Sequence, residues 1–249
     1  MKIRVIPIVL TDGVTVVKGE RFNNWRTVGD VFTLARLHSA RDVDELVFLD
    51  TTATRTKRGP NYEMIEIFSE LLGTPFSYGG GISSLSEAQK CISSGAEKIV
   101  IGSAALENKE LIEELALEFG SQAVVVVVNV SNDEGQLLDS KDNQGHQVSA
   151  KTFALQMQDK GAGELIVQSI NHDGLMCGYP LKTIESVSSA VTIPVIASTG
   201  AGSLIDFELA VMHGASSVAA GAFFQFTQFT PEDVRDYLST KGFLMRQIY

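Results

Sequence analysis

Cysteine is scarce in this chain, with two residues in 249, Cys91 and Cys177. Two are too few for a disulfide framework and sit in no metal-ligand spacing. The four histidines, His38, His146, His172 and His213, share no such spacing either, so no metal and no cofactor is expected. Long apolar runs are missing: none approaches the roughly 18 residues of a membrane span. The opening MKIRVIPIVL meets a Thr-Asp-Gly turn at once and reads as a strand rather than a leader peptide. Cations are in deficit, 20 Lys plus Arg against 30 Asp plus Glu, for a net charge of −10. A nucleic-acid partner normally needs a basic surface, so that class is disfavoured. What remains is a soluble cytoplasmic protein, large enough to bury a sizeable core.

Two kinds of segment alternate along the chain. Short β-branched runs at 3–10, 45–50, 74–78, 98–102, 123–129, 164–169, 193–197 and 217–221 are apolar at consecutive positions. Strands covered on both faces by helices have that pattern. Helical spacing marks 86–95, 106–119, 151–161, 181–190, 204–214 and 231–241. Eight strands and about eight helices in this length predict a (β/α)8 barrel over residues 1–249. The two halves, about 1–120 and 121–249, align at a constant offset of 119: Glu45 with Glu164, Pro75 with Pro194, Gly81 with Gly200, Gly95 with Gly214, Gly102 with Gly221. A doubled half-barrel follows. Residues 11–30 and 131–147 read as long loops after strands one and five, at the C-terminal face where barrels carry their sites.

Glycine-rich turns recur at strand ends. Gly79-Gly80-Gly81 follows the third strand and Ser198-Thr199-Gly200 the seventh; Gly102-Ser103 ends the fourth and Gly221-Ala222 the eighth. Such turns bring backbone N–H groups close to an anion. The duplication therefore predicts two phosphate cradles across the barrel mouth, suited to a phosphorylated small molecule. Tight strand-to-helix turns would need the same glycines. At the opposite face Arg4, Glu45, Lys98 and Glu164 open four apolar strands. Charges at such positions are costly unless paired, so a neutral ring of ion pairs is expected on the barrel floor.

The pieces VVKG (16–19), VGD (28–30), DELVFLD (44–50), YGGGI (78–82), FGSQAVVV (119–126), GAGE (161–164) and GAGS (200–203) resemble the HisF family, the cyclase subunits of imidazole glycerol phosphate synthase. The resemblance covers essentially the whole chain. It implies two phosphate sites, Gly174 included, and a glutaminase partner docked at the barrel bottom. It also implies ammonia passing through a gate of Arg4, Glu45, Lys98 and Glu164 to a site at the top, where a bisphosphate ribulosyl substrate is cleaved and cyclised.

The family's two catalytic aspartates fall on Leu10 and Asn129, neither of which titrates. Asp12 is assigned to the turn that follows strand one. Thr199 and Ala222 stand where the family has Gly and Ser, and 139–147 lacks the family's Gly-Lys-Lys loop. Asp50 and Asp173 are the residual acid–base candidates. A retained conduit without cyclase chemistry looks like the HisF-like proteins of surface-polysaccharide clusters. There the barrel would pass ammonia to a separate amidotransferase that amidinates a sugar. The expectation is thus an ammonia-channelling barrel with impaired cyclase chemistry. A working cyclase in histidine biosynthesis, with its acid–base groups moved, and a non-catalytic scaffold are the alternatives.

Overall fold

The computed structural model describes residues 2–41, 43–132, 134–141 and 147–246. Among the described residues twelve strands follow in chain order: β1 Arg4–Thr11, β2 Thr15–Glu20, β3 Asn23–Asp30, β4 Leu46–Asp50, β5 Phe76–Gly79, β6 Lys98–Ile101, β7 Val124–Val130, β8 Gln136–Lys141, β9 Gln147–Ser149, β10 Glu164–Ser169, β11 Val195–Ala197 and β12 Ser217–Ala220. Eight of them pair in parallel, β1 with β4, then β5, β6, β7, β10, β11 and β12, which returns to β1. The ring closes, with helices between successive barrel strands. This is the (β/α)8 barrel that the alternation predicts.

Two apolar clusters hold it together. The larger lies between the barrel and its helices and includes Val5, Val9, Phe48, Phe68, Ile101 and Val128. The smaller fills the barrel itself: Ile6, Ile8, Val47, Val100, Val125, Val127, Ile166, Ile196 and Ala219, with Leu10 and Leu49 above them. Alternate residues of one strand thus serve opposite cores, which explains the consecutive apolar positions.

The offset of 119 has local structural counterparts. A Cβ on Gly95 would strike the Ser69 side chain, and a Cβ on Gly214 would strike that of Ser188, again 119 residues on. Ser84 caps the helix Leu85–Ser93 through the Glu87 N–H, and Ser203 forms a capping box with Asp206 before Leu204–Met212. Gly80 has φ 123°, and its counterpart Thr199 has φ 69°. Threonine is a poor residue for that region. Its hydroxyl is held by accepting from the Ser169 N–H (2.8 Å) and donating to the Ser198 carbonyl (2.6 Å).

Three expectations need correction. Residues 11–30 are no loop but carry the antiparallel hairpin β2–β3, closed by Arg21 and Phe22 at φ 53° and 56°. A two-residue hairpin turn demands positive φ, but the usual Asn-Gly signal is absent, so the turn was not legible. Residues 131–147 include β8 and the first residue of β9, while His146 and the rest of 142–146 lie outside the described residues. The segment 106–119 is split between Ser103–Glu107 and Glu110–Phe119. Asn108 breaks it by accepting from the Glu110 N–H (3.2 Å), a side-chain bond that competes with helix continuity. Among the described residues no helix is long and apolar enough to cross a membrane.

Candidate active site

The upper, C-terminal mouth of the barrel holds a cavity of about 680 Å³, within the range of small-molecule sites. Leu10, Asn129, Asp50 and Asp173 all line it, together with Gly80, Gly81, Gly102 and Ser103. A smaller pocket continues from it, lined by Leu10, Asp173, Gly174, Thr199, Gly200, Gly221 and Ala222. The cradle residues of the two half-barrels therefore flank one site. Several glycines also have a packing reason: a Cβ on Gly80 would meet the Asp50 backbone at 2.6 Å, and one on Gly200 would collide with the Gly178 carbonyl. A Cβ on Gly102 would meet nothing within 4 Å; its backbone, at φ −105° and ψ −105°, lies outside the main regions open to other residues.

Asp50 is buried and fully engaged. One oxygen accepts from the Thr52 N–H, the Thr52 hydroxyl and the Ala53 N–H, each at 3.0 Å; the other pairs with Arg58. These bonds make it a strand-end cap. Asp12 likewise belongs to its turn, accepting from the Val14 and Thr15 N–H groups at 3.0 and 2.7 Å.

Asp173 differs. It is buried, accepts from the Phe22 N–H at 3.2 Å, and lines both parts of the cavity. Burial pushes its carboxyl above the usual range, against the Phe22 N–H and the charge of Lys18. Lys18, on β2, lines the smaller pocket and is 5% exposed. Burial pushes its ammonium down to about 8, opposed by Asp173. A Cβ on Gly221 would collide with that ammonium, so the glycine leaves room for it. Sequence reasoning passed over Lys18, although a lone lysine in the apolar run Val16-Val17-Lys18-Gly19 is the kind of signal that marks a buried charge. Asn129 brings an amide oxygen that is buried without a hydrogen-bond partner among the described residues. His172 donates from Nδ1 to the Gly178 carbonyl (2.6 Å), with the Cys177 sulfur 3.7 Å from the same nitrogen. Trp25 and Phe22 of the hairpin line the larger cavity.

At the opposite end the four expected charges meet. Arg4 reaches Glu45 at 3.0 Å and Glu164 at 2.8 Å; Lys98 reaches the same two acids at 2.8 and 3.0 Å. Ser217 accepts from the Arg4 Nε at 2.9 Å and Ser77 donates to Glu45. Burial alone would raise the Glu164 carboxyl, but the Arg4 hydrogen bond and charge, then Lys98, outweigh it and hold it below the ordinary value. The apolar column of the barrel stands between this ring and the upper cavity.

Residues 4–230 match the family model described as "Histidine biosynthesis protein". The chain is 37% identical over 254 residues to the imidazole glycerol phosphate synthase subunit HisF of Thermobifida fusca strain YX, covering 99% of each chain. The same-named subunit of Cytophaga hutchinsonii is 37% identical over 248 residues, 98% of each. That of Thermotoga sp. strain RQ2 is 37% identical over 235 residues, 93% of this chain and 92% of the relative. The chain belongs to the HisF family.

This membership corrects the expectation of a barrel with impaired cyclase chemistry that channels ammonia for sugar amidination. The HisF relatives match end to end as imidazole glycerol phosphate synthase subunits, and nothing among them points to a sugar-modifying branch or a separate amidotransferase. The physical ground for that expectation is also incomplete. Leu10 and Asn129 cannot titrate, but Asp173, which lines both the cavity and the smaller pocket, and Lys18, in the smaller pocket, can.

Proposed function

We propose that this chain is a working cyclase subunit of an imidazole glycerol phosphate synthase in histidine biosynthesis, its acid–base work carried by Asp173 and Lys18. One observation carries the reading. A carboxyl raised by burial and an ammonium lowered to about 8 share one cavity, so both move toward neutrality. General acid–base catalysis works best with groups whose pKa lies near the working pH. Ammonia addition and ring closure each require protons to be delivered and removed. Asp173 accepts protons and Lys18 donates them, while Asn129 offers its amide oxygen to a substrate hydroxyl or amine. The two glycine cradles hold the phosphates of a bisphosphate ribulosyl substrate: Gly80, Gly81, Gly102 and Ser103 at one end, Gly174, Thr199, Gly200, Gly221 and Ala222 at the other. Asp50 shapes the site by holding the turn after β4.

The proposal includes a glutaminase on the N-terminal face. The Arg4–Glu45–Lys98–Glu164 ring would admit ammonia from it, and the apolar interior favours a small neutral molecule over its charged form. A cytoplasmic setting, with Cys91 and Cys177 reduced, fits this reading.

The test is direct. The purified chain is incubated with the bisphosphate ribulosyl substrate and ammonium salts, and imidazole glycerol phosphate is measured. Turnover on the order of 1 s⁻¹ or faster, ordinary for an enzyme, is expected. Absence of product above the uncatalysed background would refute it.

A further inference from the structure

We propose that Arg55 and Lys57, in the turn after β4, are a cation pair that binds a phosphate group of the ligand at the mouth of the upper cavity and selects phosphorylated over unphosphorylated ligands. The inference rests on reading that cavity as a site for a phosphorylated substrate. It deepens that reading with two residues that neither glycine cradle includes.

Three cations, Arg55, Lys57 and Arg58, fall within four consecutive positions of a chain whose net charge is −10. Arg58, though exposed, is already engaged, paired with Asp50 and directed at the Asp12 carbonyl. Arg55 and Lys57 are exposed and line the cavity on the side of Gly80, Gly81 and Ser103. Among the described residues, neither side chain makes an ion pair, hydrogen bond or ring contact. The nearby acid Glu87 does not satisfy them, because it is held by the Ser83 N–H and by the hydroxyls of Ser83 and Ser84. Lys57 also adopts φ 52°, ψ 33°, a left-handed conformation that lysine seldom takes. Such outliers persist where the surroundings or a function require them. Here the hydrogen bonds Lys57 N–H to Thr54 and Arg58 N–H to Ala53 close the turn and keep Arg55 and Lys57 on the cavity wall. Two uncommitted cations beside a wall of glycine backbone have the chemistry for a phosphate dianion: charge from the side chains, N–H donors from the main chain.

The experiment compares wild type with Arg55→Gln/Lys57→Gln. Both side chains are exposed and hold nothing else in place, so thermal unfolding should be unchanged. In ammonium-dependent turnover we expect KM for the bisphosphate substrate to rise about tenfold or more, with kcat within about twofold. The dependence of KM on salt should also become shallower. An unchanged KM, or an equal fall in kcat and kcat/KM, would overturn the pair. If wild type gives no turnover, the functional reading fails, and the pair is judged by titration calorimetry with ribose 5-phosphate against ribose. Binding of the phosphate ester by wild type but at least about tenfold weaker by the variant supports the pair. Equal binding, or no binding to wild type, overturns it.

Discussion

The backbone N–H of Phe22 lies 3.2 Å from Oδ2 of Asp173, joining the hairpin tip to the loop after β10. The Arg21 N–H adds a second bond, 3.0 Å to the Asp173 carbonyl. Both hairpin residues have positive φ, and these bonds offset part of that strain. The contact also brings Lys18, which precedes the turn on β2, to the carboxylate it faces. One loop thereby bears on the charge and the position of both Asp173 and Lys18.

Replacing Asp173 by Asn should cost about a hundredfold or more in ammonium-dependent turnover, the lower end of what a positioned acid–base group contributes. The Phe22 contact survives, since an amide oxygen still accepts, so circular dichroism should be unchanged. A loss below about threefold would remove Asp173 from the acid–base role.

Lys18 predicts a stability profile of definite sign. Its ammonium titrates at about 8 in the folded chain and at its ordinary, higher value when unfolded. Between those values the unfolded chain binds more protons, so stability rises with pH there and the penalty is fully present below about 8. Lys18→Met should abolish that rise, seen as thermal midpoints of wild type and variant converging from pH 7.5 towards 10. Turnover of wild type should fall as pH rises through about 8, if the protonated form is the donor. Midpoints that run parallel across that range would contradict the buried charge.

Lys98→Ala leaves Glu45 and Glu164 facing each other with Arg4 alone between them. Breaking a buried ion pair costs about 3–5 kcal/mol, and partial exposure of this ring places the expectation near the low end. Glutamine hydrolysis by the partner should become uncoupled from imidazole formation, while turnover with free ammonium is retained. Coupling that survives unaltered would deny the ring a role in ammonia entry. Acid pH tests the same ring. Glu164 is depressed below its unfolded value, so its contribution is present above that value and lost as pH falls through the folded one.

Asn129→Asp restores a carboxylate at a position lining the cavity. If Asp173 and Lys18 supply proton transfer, as proposed, turnover should change by no more than about threefold. A gain of orders of magnitude would place the missing acid at 129 and strip Asp173 and Lys18 of their assigned work.

Much of this was legible before any tertiary contact was known. Consecutive β-branched residues announced strands buried on both faces, and the offset of 119 announced two half-barrels, because both are local or repeating patterns. The four floor charges could be recognised because charge at the start of an apolar strand needs a partner. The hairpin β2–β3 escaped notice because Arg21-Phe22 carries none of the usual turn chemistry; its strain is met by Asp173, 151 residues away. The break at Asn108 escaped because a helical period runs through it.

Composition and periodicity alone therefore determined the barrel, since it depends on which side chains avoid water. Only the folded chain decided what the residues at strand ends do. Asp50 and Asp173 are the same residue type near strand ends, but one is consumed by Arg58 and turn N–H groups, while the other is left in a cavity beside Lys18. Burial and partners set the pKa of each group, and both are properties of contacts between distant segments rather than of the order of residues.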